Sequence, residues 1–343
     1  MTRDTFPRGR RLLAGLLLGL YWTGALTAFP APGPSRGTKE RPNLLLITID
    51  TLRADRVSCY GGGPLKTPNI DRLAEKGIVF RRAFAQTTTT LPSHANILLG
   101  LNPLRHGVHD NSNFIVGKEF LTLAEHLQAA GYATAAFIGG FPLDSRFGLD
   151  RGFDVYDETL EDRGSNEMFY RERKAEAVLA SSLRWLEGRS GPWFAWVHCF
   201  DPHHPYEPPE PFLSQYKGRL YDGEVAYVDS ALKKLVDDIE DKGWSGNTVI
   251  ILTGDHGESL GQHGEDTHGF LAYNTTLRIP LILRAPGLKP GSVNQLVAHT
   301  DIFPTICDLL GLDVPPRLQG ISLLPAVKGK NLPKRAIYFE SMF

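Results

Sequence analysis

Residues 43–50 read Asn43-Leu44-Leu45-Leu46-Ile47-Thr48-Ile49-Asp50. A short apolar run without polar alternation is buried on both faces, as in a strand of a parallel sheet. This one ends on a carboxylate. Thr248 to Thr253 is a second such run, and it leads through Gly254 into Asp255-His256. Thr134 to Ile138, Trp193 to Phe200 and Pro280 to Leu283 read as strands as well. Helical spacing or helix-end signals mark Pro68 to Lys76 (after Thr67, with Pro68 at the first position), Leu121 to Ala130 (closed by Gly131), Arg173 to Glu187 and Gly223 to Asp241. Strands alternating with helices predict an α/β fold with a largely parallel central sheet flanked by helices. Ligands of such folds gather beyond the carboxyl ends of the strands, where Asp50 and Asp255 both stand. Ile337 to Glu340 reads as the start of another strand, from which we expect the catalytic domain, residues 42–343, to continue beyond this sequence.

The 343 residues are 42% hydrophobic and 22% charged, an ordinary globular composition. A net charge of −1 gives no bulk reason to expect nucleic acid as a partner. The three cysteines, Cys59, Cys199 and Cys307, are too far apart for a zinc ribbon or a redox pair, and Cys199 and Cys307 lie in apolar runs that suit core residues. Arg3, Arg8, Arg10 and Arg11 precede an apolar run from Leu12 to Phe29. Residues 1–29 therefore read as a signal peptide or an uncleaved membrane anchor, and 30–41, rich in proline, as a linker. Either reading places the remainder outside the cytoplasm, periplasmic or secreted, with membrane association through the N-terminus if the anchor stays.

Three segments carry chemistry. Asp255-His256, in a glycine-flanked turn, offers a carboxylate and an imidazole to a divalent ion, or is a solvated turn. Asp50 is either a third ligand or a helix cap, with Arg53 pairing Asp55 on the surface. Thr87 to Thr90 lead into Leu91-Pro92-Ser93-His94, which suits a helix starting at Thr90. A hydroxyl there faces the free N–H groups that attract phosphate or sulfate, or simply caps the helix. His126 reads as structural or exposed, and His109 and His299 as surface residues near turns.

Taken in order, Asp50, then Thr90-Leu91-Pro92-Ser93-His94, then Asp255-His256 resemble the sulfatase family of the alkaline phosphatase superfamily. Arg41-Pro42-Asn43, Thr67-Pro68-Asn69-Ile70-Asp71, Gly152-Phe153-Asp154, Asp201-Pro202-His203-His204-Pro205-Tyr206 and Arg278-Ile279-Pro280-Leu281 add to the resemblance, which runs from about residue 41 onward. It implies a divalent metal held by Asp50, Thr90, Asp255 and His256. It also implies catalytic roles for Thr90, His94, which stands where the family has arginine, His203 on the substrate side, and His268 near a sulfate-binding lysine. Thr51 stands where a second acid is frequent. With His256, that makes zinc or manganese better suited than calcium or magnesium.

The pattern breaks at the nucleophile. Sulfatases oxidise a cysteine or serine to formylglycine, and the corresponding position here is Thr90. Gly139-Gly140-Phe141-Pro142 replaces a stretch that carries lysine and histidine. Threonine nucleophiles occur in related nucleotide phosphodiesterases, lipoteichoic acid synthase and phosphoethanolamine transferases. The expectation is a metal-dependent hydrolase of sulfate or phosphate esters using Thr90, with phosphoesters preferred. Its substrate would be a small-molecule, glycan or lipid ester. A phospho-headgroup transferase and a non-catalytic metal-binding homologue are the alternatives, and His203, His268, Asp201 or His198 could hold a second ion.

Overall fold

The structure, a computed structural model, describes residues 41–61, 63–160 and 171–341. The expected targeting segment and, apart from residue 41, the linker lie outside the described residues. Among the described residues no helix is long and apolar enough to cross a membrane.

Among the described residues nine strands form one sheet: β1 (Asn43–Ile49), β2 (Ile78–Phe84), β3 (Ala133–Phe137), β4 (Val155–Asp157), β5 (Trp193–Cys199), β6 (Thr248–Gly254), β7 (Arg278–Ile279), β8 (Leu281–Arg284) and β9 (Gly291–Ala298). Their order is β4-β3-β5-β1-β6-β8-β2-β7, and β9 pairs with β2. The pairings from β4 to β6 are parallel; β8 runs antiparallel to β6 and β2, and β7 antiparallel to β2. Six longer helices lie among the described residues: α1 (Pro68–Glu75), α2 (Thr90–Leu99), α3 (Leu123–Ala129), α4 (Ala175–Leu186), α5 (Leu220–Asp241) and α6 (Ile302–Leu310).

β1 is central, and Leu44 through Ile49 are wholly buried. Alternation sends Leu44 and Leu46 to a core shared with Leu91 and Ala95 of α2, Leu123 of α3 and Phe303 of α6. It sends Leu45, Ile47 and Ile49 to a second core with Leu73 of α1, Val178 of α4 and Leu235 of α5. Each such aliphatic side chain contributes about 2 kcal/mol by leaving water. Thr48 and Asp50 continue the Leu44/Leu46 face, the side on which α2 lies.

Local chemistry sets the helix ends. Thr122 and Glu125 form a capping box at α3, with Glu125 N–H donating to Thr122 Oγ1 at 3.0 Å and Thr122 N–H to Glu125 Oε2 at 2.8 Å. Thr67 precedes α1, but Asp229 of α5 accepts the N–H groups of Asn69 and Ile70. Four strands, β2, β4, β7 and β9, were not expected: β2 contains Arg81 and Arg82, β4 and β7 are only three and two residues long, and β9 is half exposed. Conversely, Ile337 to Glu340 forms no strand. That segment is tied down by Glu340 N–H donating to the Gln86 carbonyl at 3.0 Å and by the Arg335 guanidinium on buried Asp301.

Candidate metal and ester site

Ile49 of β1 pairs with Gly254 of β6, so the residues that follow, Asp50 and Asp255, emerge side by side. Both are fully buried, as is His256. His256 Nδ1–H donates to the Gly257 carbonyl at 2.9 Å, which fixes Nε2 as the unprotonated atom. That Nε2 lies 3.5 Å from Asp255 Oδ2 and 3.8 Å from Asp50 Oδ1. All three atoms are buried without a hydrogen-bond partner, and one ligand atom from each residue falls within 4.8 Å of the others. Buried polar atoms without partners are costly. Two carboxylates and an imidazole converging in this way fit a divalent cation.

The electrostatics agree. Burial, then the neighbouring Asp50 charge, pushes the Asp255 carboxyl well above its usual range. Burial would raise Asp50 too, but its contact with His198 and the nearby His203 and His256 hold it well below. Burial lowers the His256 imidazole to about 4.

Thr51, next to Asp50, takes a left-handed conformation (φ 50°), unusual for a β-branched residue. The turn aims its N–H at Asp255 Oδ1, 3.0 Å away, while its hydroxyl donates to the Pro202 carbonyl. Arg53 does pair with Asp55, at 2.7 Å, but it is only 4% exposed and also donates to the Glu258 carbonyl at 2.9 Å, so it braces the site instead of decorating the surface.

α2 starts at Thr90 and is buried along its whole length. Thr90 Oγ1 lies 3.2 Å from Asp50 Oδ2, its proton directed to that oxygen. The N–H of Leu91 donates to Asn111 Oδ1 at 2.8 Å, so a residue without any sequence signal beside Thr90 closes this end of the helix. His94, expected among the catalytic residues, has both nitrogens engaged inside the protein. Nδ1–H donates to the Thr90 carbonyl at 2.8 Å, and Nε2 accepts from Thr48 Oγ1 at 3.0 Å, whose oxygen in turn accepts from Trp196 Nε1. It is 0% exposed and sits behind Thr90, one turn along α2. His94 thus lies within the protein on α2, with its Nδ1 also 3.8 Å from Asp255 Oδ2.

His198 of β5 approaches Asp50 Oδ2 at 3.4 Å. His203 stacks on Phe200 with ring centroids 4.3 Å apart and donates Nδ1–H to the His204 carbonyl at 2.6 Å. His268 completes this wall, 5.1 Å from the His203 ring and 4.5 Å from His256. Its Nδ1 meets Glu258 Oε1 at 3.2 Å. Glu258 is fully buried, and burial pushes its carboxyl up to about 7. Asp201 is unavailable to a second ion, since its oxygens accept from Lys174 Nζ at 2.7 Å and Ala175 N–H at 2.8 Å. Among the described residues only Asp50, Asp255 and His256 converge as a ligand group. His299, expected at the surface, is 0% exposed and donates Nε2–H to the Gly254 carbonyl at 2.9 Å, holding the end of β6. Gly139 and Gly140 leave room for Phe200; a Cβ on Gly140 would lie 2.2 Å from its ring.

A buried hydroxyl at a helix start, facing an acid–acid–imidazole cluster at the ends of parallel strands, defines an ester hydrolase of the alkaline phosphatase type. The Sulfatase family profile matches residues 42–312, and the chain belongs to that family. The uncharacterized sulfatase YidJ of Escherichia coli K12 is 27% identical over 359 residues, which cover 84% of this chain and 71% of that protein. An N-acetylglucosamine-6-O-sulfatase of Bacteroides thetaiotaomicron is 25% identical, covering 90% and 74%. The crystal structure of a phosphonate monoester hydrolase of Agrobacterium radiobacter superposes with a TM-score of 0.74 at 25% identity, covering 85% of this chain and 78% of its own. The protein is therefore a sulfuric or phosphoric ester hydrolase of a metal-dependent family.

Proposed function

We propose that this chain cleaves phosphoesters with Thr90 as its nucleophile. The observation that carries the reading is the Thr90 hydroxyl, 3.2 Å from Asp50 Oδ2 at the start of a buried helix and beside the Asp50–Asp255–His256 cluster. Threonine has a methyl group on the carbon that formylglycine formation oxidises, so it cannot yield the aldehyde by which sulfatases release sulfate. Phosphoryl transfer needs no aldehyde, only an activated hydroxyl.

A divalent ion, zinc or manganese for this mixed donor set, would be held by Asp50, Asp255 and His256 beside Thr90 and would supply positive charge that favours ionisation of the Thr90 hydroxyl. Asp50 accepts the hydroxyl proton, and Thr90 Oγ1 attacks phosphorus. Asn111, its oxygen held by Leu91 N–H, presents its amide to the non-bridging oxygens. The departing ester oxygen leaves toward His203 and His268. Water then attacks the phosphothreonine at phosphorus, the bond to Thr90 Oγ1 breaks, and the hydroxyl recovers its proton. Where the family pattern has a lysine near residue 140, the Phe200 ring fills the space, which removes a cation suited to sulfate. Small-molecule, glycan and lipid esters all remain within this chemistry. The arginine-led apolar segment before residue 30 supports a place outside the cytoplasm, which the mass of the exported chain would test.

The test compares aryl phosphate, phosphodiester and sulfate esters with the zinc- or manganese-loaded protein. Thr90→Ala is expected to lower phosphoester turnover by roughly a thousandfold or more and to remove a phosphothreonine trapped by acid quench. Sulfate release that depends on Thr90, without phosphoester turnover, would overturn the reading.

A further inference from the structure

Two stretches of chain meet at the start of α2, and one side chain far along the sequence joins them. The first, residues 108–114, carries Asn111, whose Oδ1 accepts Leu91 N–H at 2.8 Å. Within it Asp110 Oδ1 accepts the N–H groups of Ser112 at 2.8 Å and Asn113 at 2.7 Å, and Oδ2 accepts from Asn113 Nδ2 at 2.8 Å. An aspartate that accepts the N–H groups just downstream closes a tight turn, and Asn111 stands inside this one. At the inner edge Val108 is buried, with its N–H donating to His106 Nδ1 at 3.1 Å. The second stretch runs from Gln86, just past β2, to Thr90.

The segment 335–340 reaches both. Arg335 grips buried Asp301, the Phe339 ring meets Phe84 edge-on with centroids 5.9 Å apart, and Glu340 N–H donates to the Gln86 carbonyl at 3.0 Å. From that anchor the Glu340 side chain turns to the other stretch. Its Oε1 lies 2.7 Å from His109 Nδ1, and its Oε2 accepts from the Tyr338 hydroxyl at 2.8 Å. The Glu340 side chain is 14% exposed and that of His109 41%. A contact this open adds little to global stability, and Arg335 and Phe339 hold the segment without it. Its consequence is placement.

We infer that Glu340 is a positioning residue that, through His109, sets Asn111 against the start of α2 beside Thr90. The inference rests on the part Asn111 plays in the ester cleavage proposed above. Asn111 is two residues from His109, and the Asp110 turn between them is closed by its own hydrogen bonds. Fixing the His109 ring at the rim therefore fixes where Asn111 stands. Without Glu340 the turn keeps its shape but loses its outer tether, and the Asn111 amide is less well placed for the ester. A misplaced donor to a developing charge costs turnover more than binding.

Glu340→Ala is expected to lower kcat for a phosphoester about tenfold, with KM changed by less than about twofold. In an Asn111→Ala background the same substitution should have no further effect, because residues that act through one group are not additive. An equal loss in both backgrounds, or no loss in the otherwise wild-type chain, would overturn the inference. The Thr90 reading, which stands or falls with Thr90→Ala, would be untouched by either result. A second readout needs neither ester nor metal: hydrogen exchange at Leu91 N–H, whose acceptor is Asn111. Exchange about tenfold faster in both Glu340→Ala and His109→Ala, with Tm unchanged, supports the inference, and exchange at the wild-type rate overturns it.

Discussion

Leu91 N–H, next to Thr90, donates to the Asn111 side-chain oxygen at 2.8 Å, and in the proposed mechanism the Asn111 amide donates to the ester. Asn111→Ala should therefore lower kcat/KM for phosphoesters about a hundredfold, the usual cost of one donor to a developing oxyanion. Steady-state kinetics with an unchanged fold would check it, and unchanged kcat/KM would reduce Asn111 to a helix cap. Glu224 makes a second residue-level case. It is 1% exposed, shares Lys174 with Asp201 and Glu172, and burial followed by the Asp201 charge pushes its carboxyl up to about 8. The unfolded carboxyl releases its proton near 4.5. Between those values the folded chain holds the extra proton, so stability falls as pH rises through the window. Glu224→Gln should raise Tm by about 2–4 °C at pH 8 and by less at pH 5, measured by thermal denaturation. An equal shift at both pH values would remove the linkage. Neither residue stood out in the sequence. Asn111 lies 21 positions from Thr90, and Glu224 looks like one more polar residue on a helix. Each acquires its role from what the fold presses against it.

At the scale of elements, β1 and β6 were legible end to end because both are buried on both faces and carry uninterrupted apolar runs. α2 was legible at its start, where Thr90 and Pro92 mark the first turn. β2 and β9 were not, because Arg81, Arg82 and the polar positions of β9 face partly outward and break the run. Glycines carry further tertiary information. Gly152 has φ 85°, and a Cβ there would lie 2.1 Å from the Glu125 backbone nitrogen, inside the capping box that starts α3. Gly152→Ala should cost about 2 kcal/mol or more through overpacking and a disfavoured left-handed backbone. Denaturant titration would show a lower midpoint at an unchanged slope, and a midpoint within error of wild type would mean that α3 moves aside freely.

Across the whole molecule, the ends of β1, β5 and β6 bring together residues from positions 50, 198 and 255–256, and α2 adds Thr90. The buried acids then repel each other unless a cation is bound, so ion binding and folding are coupled. Removing divalent ions with a chelator should lower Tm by several degrees, roughly 1–3 kcal/mol of lost linkage, and zinc or manganese should restore it. A chelator-insensitive melting curve in the wild type, with Asp255→Asn melting at the same temperature, would argue against a bound ion. By itself the sequence determined the parallel-sheet α/β class, the ligand trio Asp50, Asp255 and His256 as candidates, and the threonine that stands at the start of α2. These are local facts, written in apolar runs and in the residues that end them. Only the tertiary structure decided that His94 and His299 face inward, that Asp201 belongs to Lys174, and that Glu258 stands behind His268. Those outcomes depend on which side chains distant in the chain displace water around each group. Burial and hydrogen-bond partnership are properties of the packed molecule, and no spacing along the chain encodes them.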